Sequence, residues 1–170
     1  MNSLLQNLAD YEVILASKSP RRQQLLADMG ISFTVLTKDT DESFPADLPA
    51  AEIASYLSRV KAMAFSVDEL PANFLLITAD TVVVKDQLPL NKPENRAEAV
   101  AMLQTLSGCT HEVITGISIR SSDKLLSFVD ISEVTYDILE KDEIDFYVDQ
   151  HKPFDKAGGY GIQEWIGVIG

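Results

Sequence analysis

The chain has 170 residues, 46% hydrophobic and 24% charged, the size and balance of one globular domain, which excludes extended disorder. Asp and Glu number 26 against 14 Lys and Arg, and the net charge of −12 repels long polyanions, arguing against nucleic-acid partners. One cysteine, Cys109, and two histidines, His111 and His151, argue against a disulfide framework and a Cys- or His-rich metal centre.

In chain order, residues 12–16 read as a short buried strand. A helix follows over 20–29, with Leu25, Leu26 and Met29 on one face and Gly30 as its stop. Residues 31–37 alternate like a half-buried strand. Residues 50–67 place Ile53, Leu57, Val60 and Ala64 at helical spacing. Residues 74–79 and 82–84 form one strand, or two pieces interrupted at Asp80-Thr81. A helix over 95–106 stops before Gly108, and a long hairpin spans 112–120 and 124–135 around Ser121-Ser122-Asp123. A short helix over 141–150 carries Ile144 and Val148 on one face, then a loop runs over 151–161. Residues 165–169 read as the start of a strand, and the chain is expected to be a single domain cut short at its C-terminus. The order mixes βαβ-like and hairpin units, so the predicted class is α/β with a mixed twisted sheet and flanking helices. No run reaches the ~20 apolar residues of a membrane helix, and residues 1–10 lack a leader's basic and apolar stretches. The expectation is a cytoplasmic protein with no membrane partner.

Four places carry chemistry. In Ser17-Lys18-Ser19-Pro20-Arg21-Arg22, Ser19 suits an N-cap and Pro20 the first helical position. Arg21 and Arg22 then oppose the positive end of the helix dipole, a conflict that an anion bound there would remove. The alternative is an arginine pair in solvent. Asp80 closes an apolar run, where a carboxylate needs a partner, a metal or a cleft. It suits a general base or a ligand of a hard cation, and a turn residue equally well. Lys61, Lys92 and Lys156 are scattered cations that could converge on a triphosphate, although each alone reads as a solvated lysine. The loop Asp155 to Gln163 carries Gly158, Gly159 and Gly161, which permit close backbone approach to a ligand and serve turns as well. Glu42 could join Asp80 around a metal or sit in a solvated acidic loop. Cys109 and His111 read as structural.

Taken together, the chain resembles the Maf-like nucleoside triphosphate pyrophosphatases. The resemblance rests on Ala16-Ser17-Lys18-Ser19-Pro20-Arg21-Arg22, Asp41-Glu42, Arg59-Val60-Lys61-Ala62, Ala79-Asp80-Thr81-Val82-Val83, Lys92-Pro93, Leu106-Ser107-Gly108, Asp155-Lys156-Ala157-Gly158 and Tyr160-Gly161-Ile162-Gln163, in family order. It implies hydrolysis between the α- and β-phosphates with a divalent cation, Mg²⁺ or Mn²⁺. Asp80, Lys61 and Lys92 would be catalytic, with Asp80 as the base. Ser17, Arg21, Arg22, Thr81, Lys156 and Gln163 would bind substrate, and Glu42 with Asp80 would hold the metal. Arg21, Thr81 and Gln163 are similar to the dTTP/UTP branch, with modified pyrimidine nucleotides as further substrates. The implied fold is elongated and two-lobed with a central cleft, similar to inosine triphosphate pyrophosphatases. A homodimer is among the assemblies left open. The competing reading is a non-catalytic nucleotide-binding regulator of cell division and septum formation. A phosphatase that removes the γ-phosphate is a third.

Overall fold

The computed structural model describes residues 6–170. The elements are β1 (Glu12–Leu15), α1 (Pro20–Asp28), β2 (Thr34–Val35), α2 (Ala50–Met63), β3 (Phe74–Lys85), β4 (Leu88–Leu90), α3 (Arg96–Leu106), β5 (Thr110–Arg120), β6 (Leu125–Thr135), α4 (Lys141–His151) and α5 (Ile166–Ile169). Short 3₁₀ turns lie at Val67–Glu69 and Ala157–Gly159. The chain is α/β, with six strands in the order β2-β1-β3-β5-β6 and β4 paired to β3. The sheet is mixed: β1 runs parallel to β2 and β3, and β4 returns antiparallel to β3.

Contacts divide the described residues into two compact units, one holding those up to Leu48 with Glu52–Asp80 and Thr115–Val129, the other holding Pro49–Ala51, Thr81–Ile114 and Asp130–Gly170. The first is built on Ile14, Phe65, Leu70, Phe74 and Leu76. In it α2, which ends at Met63 rather than running to 67, buries Ile53 and Leu57 of its predicted face together with Ala54, and leaves Val60 half-buried. The helix backbone lies directly on β5, because a Cβ at Gly116 would fall 2.3 Å from the Ala54 carbonyl. Arg120, also on β5, donates to the carbonyls of Ala62 (2.8 Å) and Phe65 (2.6 Å), satisfying acceptors that the end of α2 leaves open. Beneath α2 the hydroxyls of Ser58, Ser118 and Ser127 form a chain at 2.8 and 2.9 Å.

The predicted start and stop of α1 are both present. Pro20 occupies the first turn, and Gly30, at φ +74, lets its own N–H reach Ala27 O (2.8 Å) and that of Ile31 reach Leu26 O (3.3 Å). Its apolar face is not a core face. Leu25 and Met29 are 65% and 64% exposed, and α1 buries no residue. The strand expected over 31–37 is reduced to Thr34–Val35.

The second unit packs Leu103, Leu106, Tyr136, Ile144, Tyr147 and Ile166 among its core residues. The side chain of Asn95 accepts from Glu98 N–H (3.0 Å) at the start of α3, and Gly108 turns the chain beyond it at φ +64. Arg96 ties α3 to α4 through Asp145 and Asp149 at 2.7 Å each. In this unit one hairpin goes unannounced by the sequence and one expectation changes. The hairpin β3–β4 turns at Asp86 and Gln87, both at positive φ without a glycine to signal it. Residues 165–169, expected to begin a strand, form helical turns closed by Gly167 N–H on Glu164 O (3.0 Å) and Gly170 N–H on Ile166 O (3.0 Å).

Candidate active site

The strand β3 runs unbroken through Asp80, which removes the turn reading of that residue. Its side chain is buried in the sheet at 12% exposure, and a carboxylate there requires a cation. Lys61 supplies one: it sits in the last turn of α2, where the helix dipole favours a positive charge, and its Nζ lies 2.5 Å from Asp80 Oδ1. The same Nζ lies 2.9 Å from Glu42 Oε1, on the loop that precedes α2. One ammonium thus gathers two carboxylates, the three groups coming from three separate stretches of chain.

Arg22 joins this group from α1, donating through Nη1 to the carbonyl of Ala79 at 2.7 Å. Burial pulls its guanidinium below the usual arginine value, and Arg21 pulls the same way, while Asp80 and Glu42 pull it back. An anion beside it would offset that desolvation. Ser17 is buried at the end of β1; its Oγ accepts from Ser19 N–H (3.2 Å) and its carbonyl from Gln23 Nε2 (3.3 Å). Ser19 holds the N-cap position of α1 with extended backbone, but its side chain makes no capping bond. Arg21 is exposed on the first turn of α1. Lys18 pairs with Asp39 at 2.6 Å in full solvent, a surface pair of little energetic consequence.

The first unit therefore holds Ser17, Arg21, Arg22, Glu42, Lys61 and Asp80, and brings the last three into direct contact. The second holds Thr81, Lys92, Lys156 and Gln163. Thr81 is half-buried on β3, Lys92 is exposed after β4, and Gln163 is exposed at the end of the Gly-rich loop. Lys156 is largely covered, with 12% of its side chain exposed, and pairs with Asp155 at 2.9 Å and Glu164 at 3.2 Å. The loop itself is seated closely. Gly158, at φ +69, would carry a Cβ 3.0 Å from the Val83 side chain. Tyr160 shares a 2.6 Å hydrogen bond with buried His111, in keeping with the structural reading of that histidine.

Sequence reasoning missed Arg120, Tyr147 and Glu164. The aspartate and lysine of the first unit announce themselves by motif, but these three act through partners 8 to 58 residues away, which no local pattern marks. Among the described residues no group of three or more His, Cys, Asp or Glu could hold a metal ion. Two carboxylates on one ammonium nevertheless fit a small hard cation completed by water and substrate phosphate oxygens, since Mg²⁺ takes one or two protein carboxylates in such sites. An open depression lined by Glu12, Ile14, Thr34, Leu36 and Pro71 brings no cationic side chain and lies apart from this chemistry.

A buried aspartate is thus bridged by lysine to a second carboxylate, beside a desolvated arginine. The chain belongs to the Maf-like protein family, whose profile matches residues 12–170. A dTTP/UTP pyrophosphatase of Bacteroides thetaiotaomicron is 50% identical over 98% of this chain and 86% of its own length. Another, of Cytophaga hutchinsonii, is 48% identical over 98% of this chain and 75% of its own. A HAM1 protein from Coxiella burnetii superimposes with a TM-score of 0.47 at 12% identity, over 72% of this chain and 71% of its own, a likeness too slight to carry weight. Among the described residues no helix is long and apolar enough to cross a membrane.

Proposed function

We propose that the protein is a nucleoside triphosphate pyrophosphatase that converts dTTP and UTP to the monophosphate and pyrophosphate. The observation that carries this reading is the Glu42–Lys61–Asp80 bridge with Arg22 beside it. The relatives' name, dTTP/UTP pyrophosphatase, supports the reaction and the substrate class.

Asp80 takes a proton from water as its oxygen attacks the α-phosphorus; one P–O bond forms, the α–β bridge breaks, and pyrophosphate leaves with the bridging oxygen. Lys61, fixed by its two carboxylates, keeps Asp80 in one orientation and presents positive charge to the reacting phosphate. Arg22 and Arg21 neutralise phosphate oxygens at the start of α1, and the Ser17 hydroxyl adds a donor there. A divalent cation, Mg²⁺ or Mn²⁺, held by Glu42 and Asp80, would supply further charge neutralisation. Lys92 and Lys156 are assigned to phosphate binding. Thr81 and Gln163, neutral donor–acceptor side chains, are assigned to the pyrimidine edge.

The test is incubation with dTTP, UTP, CTP, GTP and 7-methyl-GTP plus Mg²⁺ or Mn²⁺, with pyrophosphate and orthophosphate followed separately. Pyrophosphate from dTTP and UTP is expected, and orthophosphate as first product would overturn the assignment. Asp80→Asn, which keeps the shape and removes the base, is expected to lower kcat about 10²–10⁴-fold while nucleotide still binds. Unchanged turnover in that variant would remove Asp80 from the chemistry.

A further inference from the structure

Lys156 is a long, flexible side chain in a loop, and such a chain binds an anion well only if something holds it ready. Two carboxylates touch it. Asp155 is 76% exposed and adjacent in sequence, so that pair is dispensable. Glu164 is different, with 26% of its side chain exposed and several partners at once. Its Oε1 lies 3.2 Å from Lys156 Nζ. Its Oε2 accepts the hydroxyl of Tyr147 and lies 3.9 Å from His151 Nδ1. Tyr147 is fully buried on α4 and stacks on His151 at 4.8 Å and 24°. Its hydroxyl oxygen accepts the N–H of Gly161 at 3.0 Å, two residues before Gln163.

We propose that Glu164 is a positioning residue for the pyrophosphatase reaction, holding the Lys156 ammonium directly and the Gly161–Gln163 backbone through Tyr147. One carboxylate joins the residue assigned to phosphate and the segment assigned to the base, and its anchor is a buried tyrosine on α4 rather than solvent. Because the buried Tyr147 hydroxyl holds its other oxygen, it is restrained from following Lys156 if that side chain wanders. The ammonium is therefore ordered before the ligand arrives, an effect on binding rather than on the chemical step.

The inference rests on the proposed function, and the variants separate the two. Glu164→Gln keeps an acceptor for Tyr147 but removes the charge on Lys156, so KM for dTTP is expected to rise about tenfold with kcat within about twofold. Glu164→Ala removes both supports and is expected also to narrow the preference for dTTP over CTP. In the Lys156→Ala background, Glu164→Gln should add nothing. Binding of inorganic tripolyphosphate, followed by calorimetry, reads the same role without turnover, and Glu164→Gln is expected to weaken it in step with KM. An unchanged KM together with unchanged tripolyphosphate affinity overturns the proposal, as does a second, additive loss in the Lys156→Ala background. If the wild-type chain turns over neither dTTP nor UTP while tripolyphosphate binding still depends on Glu164, the pyrophosphatase reading falls and the positioning role stands.

Discussion

Asp80 and Lys61 show how a single side chain can serve stability and reactivity together. Removing Lys61 would strand a buried carboxylate, at a cost of about 3–5 kcal/mol, so loss of activity in Lys61→Ala would be confounded with loss of fold. Asp80→Asn avoids that trap, because the amide needs no counter-charge. Arg120 makes the opposite case, a charge with a structural role. Its guanidinium caps the Ala62 and Phe65 carbonyls and lies 5.9 Å over the Phe74 ring. Arg120→Ala should cost about 2 kcal/mol, the scale of charge-assisted hydrogen bonds lost from a partly buried place. In a chain of this size that is a fall of about 4–8 °C in Tm. An unchanged melting curve would mean that water replaces the guanidinium.

At the scale of elements, the site depends on how closely α2 lies on β5. Gly116 permits that approach, with the Ala54 carbonyl and Ser55 nitrogen 2.3 and 2.4 Å from where a Cβ would stand. The atoms in the way are helix backbone, which cannot rotate aside. Gly116→Ala must push α2 outward and should destabilise the fold by about 1–3 kcal/mol. Lys61 lies two turns further along the same helix, so turnover should fall with Tm. Thermal unfolding and dTTP hydrolysis measured on one preparation check both, and a variant with wild-type Tm would show that the helix has room. The loops allow less rigid solutions. In the β3–β4 hairpin, Asp86 and Gln87 hold positive φ without glycine, which is why that turn carries no sequence signal.

For the whole molecule, pH acts on stability through groups that titrate differently when folded. Burial, with a smaller push from Lys85 and an opposing pull from the Cys109 backbone, holds His111 below its ordinary value of about 6.5. The unfolded chain therefore binds a proton that the folded chain refuses. That penalty is absent above about pH 6.5 and grows as pH falls below it, so stability declines with acid. Exposed carboxylates with lowered values add losses further down, among them Glu69, held at about 2 by the Ser66 backbone N–H and by Lys38. Tm is expected to drop between pH 7.5 and 5.5. His111→Gln, which can still meet the Tyr160 hydroxyl, should flatten that drop even if it starts lower. Comparing the two at each pH cancels the change in net charge, and parallel curves would clear His111 of the effect.

The sequence by itself determined what is local. Pro20 and Gly30 bound α1, Asn95 and Gly108 bound α3, and Ser121-Ser122-Asp123 turns the hairpin β5–β6, because caps and turns depend on a few consecutive residues. The ordered motifs from Ser17 to Gln163 likewise marked the family and picked out Asp80 and Lys61. Only the tertiary structure decided what those residues meet. Apolar spacing names a face without naming its partner, so α2 buried Ile53 and Leu57 of its stripe while Leu25 and Met29 of α1 stayed in solvent. Whether β3 passed through Asp80 depended on pairing with distant strands, and the bridge from Lys61 to Glu42 and Asp80 on contacts made 19 residues apart. Glu164 drew its meaning from Lys156 and Tyr147 in the same way, because a buried charge takes its role from the groups that compensate it.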